Sequence, residues 1–314
     1  MSRGTDIPRV TVVVPTYRRP RLLVEALESI LGGSYSDFEV IVANDGAVDD
    51  LSTARARFPD PRVQWITRPE RLGMLSNHVE AFGRARGEFI ANLDDDDRWT
   101  PGLLASLVPV LERHPEVAVA FADHFVADAA GVVDEVRTDA NSRRWGRATL
   151  SEGPHRPFKK LAAIDRSIPM ACAAVFRRSA LNLADYAEPL GTCWDVWTSY
   201  LLARDGGTAW YVPRRLAVYR EHSAGVTVAG RASTARSAIY CWEQFLKDAA
   251  LRPWTGDLKR TLAAAHFRLA TELLRVGDIR GGYRHAQRSV LIGLTAPAHF
   301  IPAGGGRRQG KCGR

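Results

Sequence analysis

Four consecutive carboxylates, Asp94-Asp95-Asp96-Asp97, follow the apolar run Phe89–Leu93 and precede Trp99 and Pro101. Like charges packed this closely repel, and the group costs stability unless a cation sits among them. Oxygen donors of this kind suit Mn²⁺ or Mg²⁺, which bind one or two carboxylates and complete their shell with substrate phosphates. The plainer account is a solvated acidic turn, since acids favour the start of a helix. The order strand, Asp cluster, Trp, Pro, helix favours the metal site. Two further polar groups follow apolar runs in the same way. Thr16 and Tyr17 come after Val10–Val14 and Pro15, and Asp45 sits in Asn44-Asp45-Gly46 after Phe38–Ala43. Each also has an ordinary reading: Tyr17 as a loop aromatic, Asp45-Gly46 as a turn, and Asn77 further on as a helix N-cap.

The elements that must hold these residues alternate. Val10–Val14, Phe38–Ala43, Val63–Thr67, Phe89–Leu93 and Val117–Phe121 read as buried strands. Between them, Leu22, Leu23, Ala26, Leu27, Ile30 and Leu31 recur at helical spacing and end at Gly32-Gly33. Val79–Ala85 lies in a second helix, and Pro101–Arg113 forms a third with Pro101 in its first turn. Strand and helix in alternation give an α/β fold with a mostly parallel sheet between helices. Ligands of such sheets bind beyond the carboxyl ends of the strands. Thr16, Tyr17, Asp45 and the Asp cluster are all at those ends, so they are expected on one rim.

The motifs and their order resemble family 2 of the inverting glycosyltransferases, whose fold is termed GT-A. That family opens with strand-Pro-Thr-Tyr-Asn-Arg, and this chain has Val12-Val13-Val14-Pro15-Thr16-Tyr17-Arg18-Arg19. It continues through an Asp-Gly strand end, matched by Val42-Ala43-Asn44-Asp45-Gly46, and an Asn-x-Gly segment, matched by Arg71-Leu72-Gly73. Then come Gly-Glu-Phe-Ile and Leu-Asp-x-Asp-Asp, matched by Gly87-Glu88-Phe89-Ile90 and Leu93-Asp94-Asp95-Asp96-Asp97. The match runs from about residue 8 to 125 and loosens afterwards. The resemblance implies a nucleotide-sugar donor. Pro15, Thr16, Tyr17 and Arg18 would flank the nucleotide, and Asp45 would accept a pyrimidine ring N–H, which favours UDP or dTDP. Gly73 would admit the nucleotide close to the backbone. Asn77, Asp94 and Asp95 would face ribose and sugar hydroxyls, and Asp96 would ligate the metal.

Inverting transfer also needs a carboxylate to take the proton of the attacking hydroxyl. The family carries it in a Glu-Asp-x-Asp-Leu-Trp segment. Here Gly191-Thr192-Cys193-Trp194-Asp195-Val196-Trp197 fits the frame, but Thr192 and Cys193 stand where Glu and Asp are usual. Asp195 is the candidate base. Tyr219-Arg220-Glu221-His222 resembles the family's Tyr-Arg-x-His, which makes His222 a candidate metal ligand beside Asp96. Two alternatives differ in class: a sugar-nucleotide-binding protein of this fold that has lost its base, and a sugar-phosphate nucleotidyltransferase. The second wants a Gly-rich basic loop after the first strand, where this chain has Pro15-Thr16-Tyr17.

At 314 residues the chain fits one catalytic domain, 8–225, a helical C-terminal extension, 226–300, and a Gly/Arg tail, 301–314, expected to be disordered. Residues 128–168 read as a long excursion over the active face, with weak periodicity. Residues 226–314 carry 15 Lys and Arg against 5 Asp and Glu, a balance of +10, while residues 1–225 carry 28 against 30. That asymmetry suits peripheral contact with the inner face of a membrane, or simply a solvated helical surface. No run of about 18 apolar residues or secretory leader is present, and the four cysteines lack metal-site spacing, so a cytoplasmic protein is expected. The basic residues lack aromatic interleaving, which argues against nucleic acid. The first strand lacks G-x-G-x-x-G, which argues against a dinucleotide. Gly305–Lys311 mimics a phosphate loop without the flanking strand and helix. The acceptor, whether glycan, lipid-linked glycan or natural product, is not legible.

Overall fold

The computed structural model describes residues 7–46, 51–221 and 230–296. His222 and the tail from 301 lie outside the described residues. A nine-stranded sheet forms the centre, in the order β3-β2-β1-β4-β8-β6-β9-β5, with β7 on the far side of β9. Its strands are β1 (Val10–Thr16), β2 (Phe38–Asn44), β3 (Val63–Thr67), β4 (Phe89–Asn92), β5 (Arg98–Trp99), β6 (Val117–Ala127), β7 (Gly153–His155), β8 (Ala174–Arg177) and β9 (Thr208–Arg220). Strands β1 to β4 are parallel, and β6 and β9 run with them. β8 is antiparallel between β4 and β6 and reverses the local direction once.

Alternation along β1 explains the layering. Val12 and Val14 point into one core with Leu23, Leu27 and Leu107, while Val13 points into another with Phe82 and Phe176. The first core is closed by α1 (Pro20–Leu31) and α4 (Leu103–Arg113). The second is closed by α3 (Met74–Arg84) and α6 (Trp194–Arg204). With both faces covered, the parallel strands are mostly apolar, and the buried Thr11 of β1 donates to the buried Glu39 of β2. The short helix α2 (Ser52–Arg57) lies between β2 and β3.

Among the described residues three more helices build the C-terminal part: α7 (Arg231–Phe245), α8 (Thr255–Arg275) and α9 (Ile279–Leu294). Trp242 and Phe245 of α7 and Leu262, Ala265 and Leu269 of α8 join the same core as Phe82 and Trp194. Trp197 stacks on Phe245 at 5.7 Å. These helices therefore complete the second face of the sheet.

The excursion 128–168 is more ordered than its sequence suggests. It contains α5 (Glu135–Arg144), strand β7 and the helical turn Lys160–Ile164. α5 is polar nearly all round and buries only Thr138 and Ser142, so it has no apolar stripe to read. A buried network holds it: Asp123 of β6 accepts from Arg147 at 2.6 Å and from Ser142 at 2.5 Å. Where β9 passes Asp123 its register slips, and Pro213, which cannot donate, sits in the slip.

Candidate active site

The carboxyl ends of β1, β2 and β4 lie side by side, because Thr16 pairs with Asn44 and Val13 with Asn92. The polar residues just past them share one rim.

At the β2 end, Asp45 is 4% exposed, and its carboxylate accepts the N–H groups of Leu72 (2.7 Å) and Gly73 (3.1 Å). Arg71 Nε also donates to it at 3.4 Å. Gly73 can present its N–H there because it adopts φ 84, ψ 162, a conformation open essentially only to glycine. The Arg71 guanidinium stacks 4.2 Å from the centre of the Tyr17 ring, and Arg18 approaches the same ring at 5.3 Å. Tyr17 is half-buried and lies beside Gly46. Pro15, half-buried, leads β1 into this corner, and Arg18 then turns the chain with φ 59.

The Asp cluster is a tight turn, closed by the N–H of Asp97 on the carbonyl of Asp94. The turn fans the side chains apart. Asp94 accepts from Asn92 and faces His78 Nε2 at 3.9 Å. Asp95 points inward, accepting from Thr16 Oγ1 (2.7 Å) and Arg19 (3.1 Å). Asp96 accepts from the same Arg19 nitrogen at 2.5 Å. Asp97 takes the backbone N–H of Arg220 at 2.8 Å, and its second oxygen is buried without a partner. Crowding leaves its mark on acidity. Burial and the neighbouring Asp96 charge push Asp95 up to about 7, against the pull of Arg19 and Thr16. Burial and the charges of Asp96 and Asp94 push Asp97 well above the usual carboxylate range.

A cation here would meet a partly filled site. Among the described residues no three His, Cys, Asp or Glu side chains converge as a closed metal cage. Asp96 and Asp94 are the partly exposed carboxylates, and Arg19 already bridges Asp95 and Asp96. The donor set fits Mn²⁺ or Mg²⁺ held by one or two carboxylates and completed by diphosphate oxygens.

Asp195 enters the rim from the other side, in the first turn of α6. Trp194, its neighbour, stacks on His78 at 3.9 Å, and His78 is the residue facing Asp94. Asp195 is half-buried, has no ion-pair partner among the described residues, and feels the charge of Asp94. Burial raises its pKa above the ordinary carboxylate value, although the Val196 N–H favours the charged form.

One expected residue is turned away. Asn77 is 2% exposed, its amide donating to the Ala43 carbonyl and accepting from Arg68. Through Arg68, which also reaches Glu80 and the Asn44 carbonyl, it braces the end of β2 instead of facing the rim. Sequence reasoning missed Arg19, Arg71 and His78. Arg19 is in the Pro-Thr-Tyr-Arg-Arg motif and Arg71 precedes Gly73 by two residues, so both could have been flagged by adjacency. His78 carries no motif; only its helical phase after Met74 aims it at Asp94.

Comparison with known proteins agrees with this geometry. The family model for glycosyl transferase family 2 matches residues 11–183, more than half of the chain. An uncharacterized protein of Mycobacterium tuberculosis is 27% identical over 96% of this chain and 93% of its own length. A Campylobacter jejuni GalNAc(5)-diNAcBac-PP-undecaprenol beta-1,3-glucosyltransferase is 32% identical over 32% of this chain and 34% of its own. Among solved structures, Staphylococcus aureus TarS 1–349 in complex with UDP-GlcNAc superposes with TM-score 0.65 at 14% identity, covering 92% of this chain and 82% of that one. Mannosyltransferase PcManGT from Pyrobaculum calidifontis, in complex with GDP-Man and Mn²⁺, gives 0.58 at 20% identity, covering 91% and 81%. With its GT-A sheet, its rim of aspartates at the strand ends and a family match across them, the chain belongs to glycosyl transferase family 2 and is a glycosyltransferase.

Proposed function

We propose that this enzyme transfers a sugar from a nucleoside diphosphate to an acceptor hydroxyl with inversion, using Asp195 as base and a divalent cation at Asp96. The observation that carries the reading is the set of neighbours between the Asp cluster and Asp195: Arg19 bridges Asp95 and Asp96, the adjacent Asp94 faces His78, and His78 stacks on Trp194, which precedes Asp195. It spans the two ends that such a reaction needs.

Asp45 and the Leu72 and Gly73 amides form the nucleotide end, with the Tyr17 face as a stacking surface and Pro15, Thr16 and Arg18 around it. Asp45 as acceptor for a ring N–H supports uridine or thymidine. Asp94 is assigned to the ribose and sugar side; Asp95, expected there too, is buried against Thr16 and Arg19 and is assigned to bracing the turn, as Asn77 is to bracing β2. Asp96 would hold Mn²⁺ or Mg²⁺, with His222 assigned as its second protein ligand; the bound ion supplies charge neutralisation to the leaving diphosphate. Asp195 removes the acceptor proton as the acceptor oxygen bonds to the anomeric carbon. The bond from that carbon to the phosphate oxygen breaks, and its electrons leave with the diphosphate. A base on the face opposite the leaving group gives inversion.

No helix among the described residues is long and apolar enough to cross a membrane. The exposed Ile279, Tyr283, Val290, Leu291 and Leu294 of α9, beside Arg280, Arg284 and Arg288, support peripheral contact with an anionic membrane surface. Co-sedimentation with anionic liposomes tests that assignment, and an intact protein that stays in the supernatant removes it.

The decisive assay incubates UDP-, dTDP- and GDP-sugars with Mn²⁺ or EDTA and measures free nucleoside diphosphate, while calorimetry follows nucleotide binding. Metal-dependent release lost in Asp96→Ala is expected. Nucleotide binding indifferent to metal and to Asp96→Ala would overturn the metal assignment.

A further inference from the structure

Arg166 is one of two non-glycine residues with positive φ among the described residues, at φ 52. Its guanidinium lies 4.4 Å from the ring centre of Trp145, which ends α5, and 5.5 Å from that of Trp242 in α7. Arg144 approaches the Trp145 ring too, at 4.9 Å, so the two positive charges are close together. Arg268 of α8 adds a third charge felt at Arg166.

Among the described residues no ion pair answers this positive charge. Elsewhere in the protein the buried arginines are paired: Arg68 with Glu80, Arg147 with Asp123, Arg220 with Glu25. Among the described residues neither Arg144 nor Arg166 has a carboxylate or a side-chain hydrogen-bond partner, although Arg166 is half-buried. Burial and the Arg144 and Arg268 charges lower its pKa, and the acid that opposes them is Asp195. Aromatic faces hold a guanidinium by its plane and leave its N–H edges free for a planar or tetrahedral oxyanion. A strained turn that holds such a group against two aromatic rings, within the field of the candidate base, is a feature that costs free energy and points to a use.

We infer that Arg166 and Arg144, framed by Trp145 and Trp242, form an acceptor-side subsite for a phosphate or diphosphate ester, next to Asp195. The acceptor would then bring its phosphate to Trp145 and Trp242 while its hydroxyl meets Asp195. This rests on Asp195 marking the acceptor side. The phosphate belongs either to a lipid-linked acceptor or to a water-soluble phosphate ester.

The test is calorimetric titration of the full-length protein with inorganic phosphate, geranyl phosphate and geraniol, with and without saturating UDP and Mg²⁺. Binding of both phosphates is expected, weakened at least tenfold in Arg166→Gln and in Arg144→Gln and partly kept in Arg166→Lys, with UDP affinity unchanged. Arg144→Gln lies outside the strained turn, so the subsite remains testable if the Arg166 variants fold poorly. Geranyl phosphate binding tenfold tighter than phosphate, with geraniol silent, identifies a lipid phosphate; equal affinities identify a soluble ester. Phosphate affinity that is absent in the wild type, or the same in Arg144→Gln and a folded Arg166→Gln, overturns the subsite. A wild type that binds phosphate but not UDP would keep the subsite and count against the uridine donor reading instead.

Discussion

Replacing Gly73 by alanine separates backbone conformation from packing at the nucleotide end of the rim. A Cβ on Gly73 would meet nothing within 4 Å, so no steric collision contributes. The whole cost is conformational, because φ 84, ψ 162 is a region that L-residues avoid by roughly 1–3 kcal/mol. Two outcomes share that cost. The protein can retain the loop and lose stability, or the loop can relax and release the Leu72 and Gly73 amides from Asp45. Relaxation would also disturb the Arg71–Tyr17 stacking and the bond from the Asn77 N–H to the Gly73 carbonyl, so it would reach the nucleotide end directly. If the Asp45 carboxylate must be held by those amides to receive a nucleobase, affinity for UDP falls about 5- to 150-fold.

Gly277, in the turn between α8 and α9, supplies the control. It has the same φ of 84 and also nothing within 4 Å, but it is remote from the rim. Gly277→Ala should lower the melting temperature and leave UDP affinity alone. Both variants would be measured by thermal melting and by UDP calorimetry with Mn²⁺. A Gly73→Ala protein that melts lower and still binds UDP like the wild type would refute the claim that the loop conformation serves the nucleotide.

Three other outcomes follow from named contacts. Asp195→Asn should cut turnover by about 10²- to 10⁴-fold with donor affinity kept. Because burial raises the Asp195 pKa, the wild-type rate should climb with pH above the usual carboxylate range. The same shift means the folded state holds that proton more tightly than the unfolded state, so Asp195 costs stability once ionised. Asn should therefore melt higher than wild type at alkaline pH and lose that advantage at acid pH; a flat comparison would count against a buried, ionising Asp195. Arg18→Asn should hold or raise stability by up to about 1 kcal/mol in urea titration, since asparagine tolerates φ 59 better than arginine. A loss of that size would show that the Arg18–Tyr17 contact outweighs the strain. Arg147→Met should destabilise by about 3–5 kcal/mol by leaving Asp123 buried and unpaired, and adding Asp123→Leu should recover part of it.

The parallel half of the fold was legible because its signal is simple. Val10–Val14, Phe38–Ala43 and Phe89–Leu93 are mostly apolar runs, interrupted only by Thr11, Glu39 and Asn92, and each leads into the polar residues that reach the rim. The antiparallel strand β8 was not legible: Ala174–Arg177 is four residues long and lies after a stretch without periodicity. Nor was α5, whose hold on the sheet is the Asp123–Ser142–Arg147 network, a long-range polar contact that no local pattern encodes. At the site, Asp45 and the Asp cluster announced themselves, but the directions of the side chains did not. Four adjacent aspartates read as one negative centre, while the turn sends Asp95 to Thr16 and Asp97 to the Arg220 amide. Asn77 looked like a polar residue near a ligand and is instead bonded inward to Ala43 and Arg68.

Backbone strain marks the rim more plainly than composition does. The two non-glycine residues at positive φ among the described residues, Arg18 and Arg166, are both arginines, a type with no preference for that conformation. Arg18 follows the Tyr17 platform at the nucleotide end, and Arg166 lies on the rings of Trp145 and Trp242, within the field of Asp195. Each places a guanidinium against an aromatic ring. A turn made only to reverse the chain would be expected to recruit glycine or asparagine, as Gly146 and Gly206 do at φ 73 and φ 81. At both positions the arginine brings a positive charge to an aromatic face, which glycine or asparagine in the same turn would not do. The line from Arg18 through the Asp cluster to Arg166 then reads positive, negative, positive. A nucleoside diphosphate at one end and a phosphorylated acceptor at the other would match the outer charges, with the aspartates between them handling cation and proton.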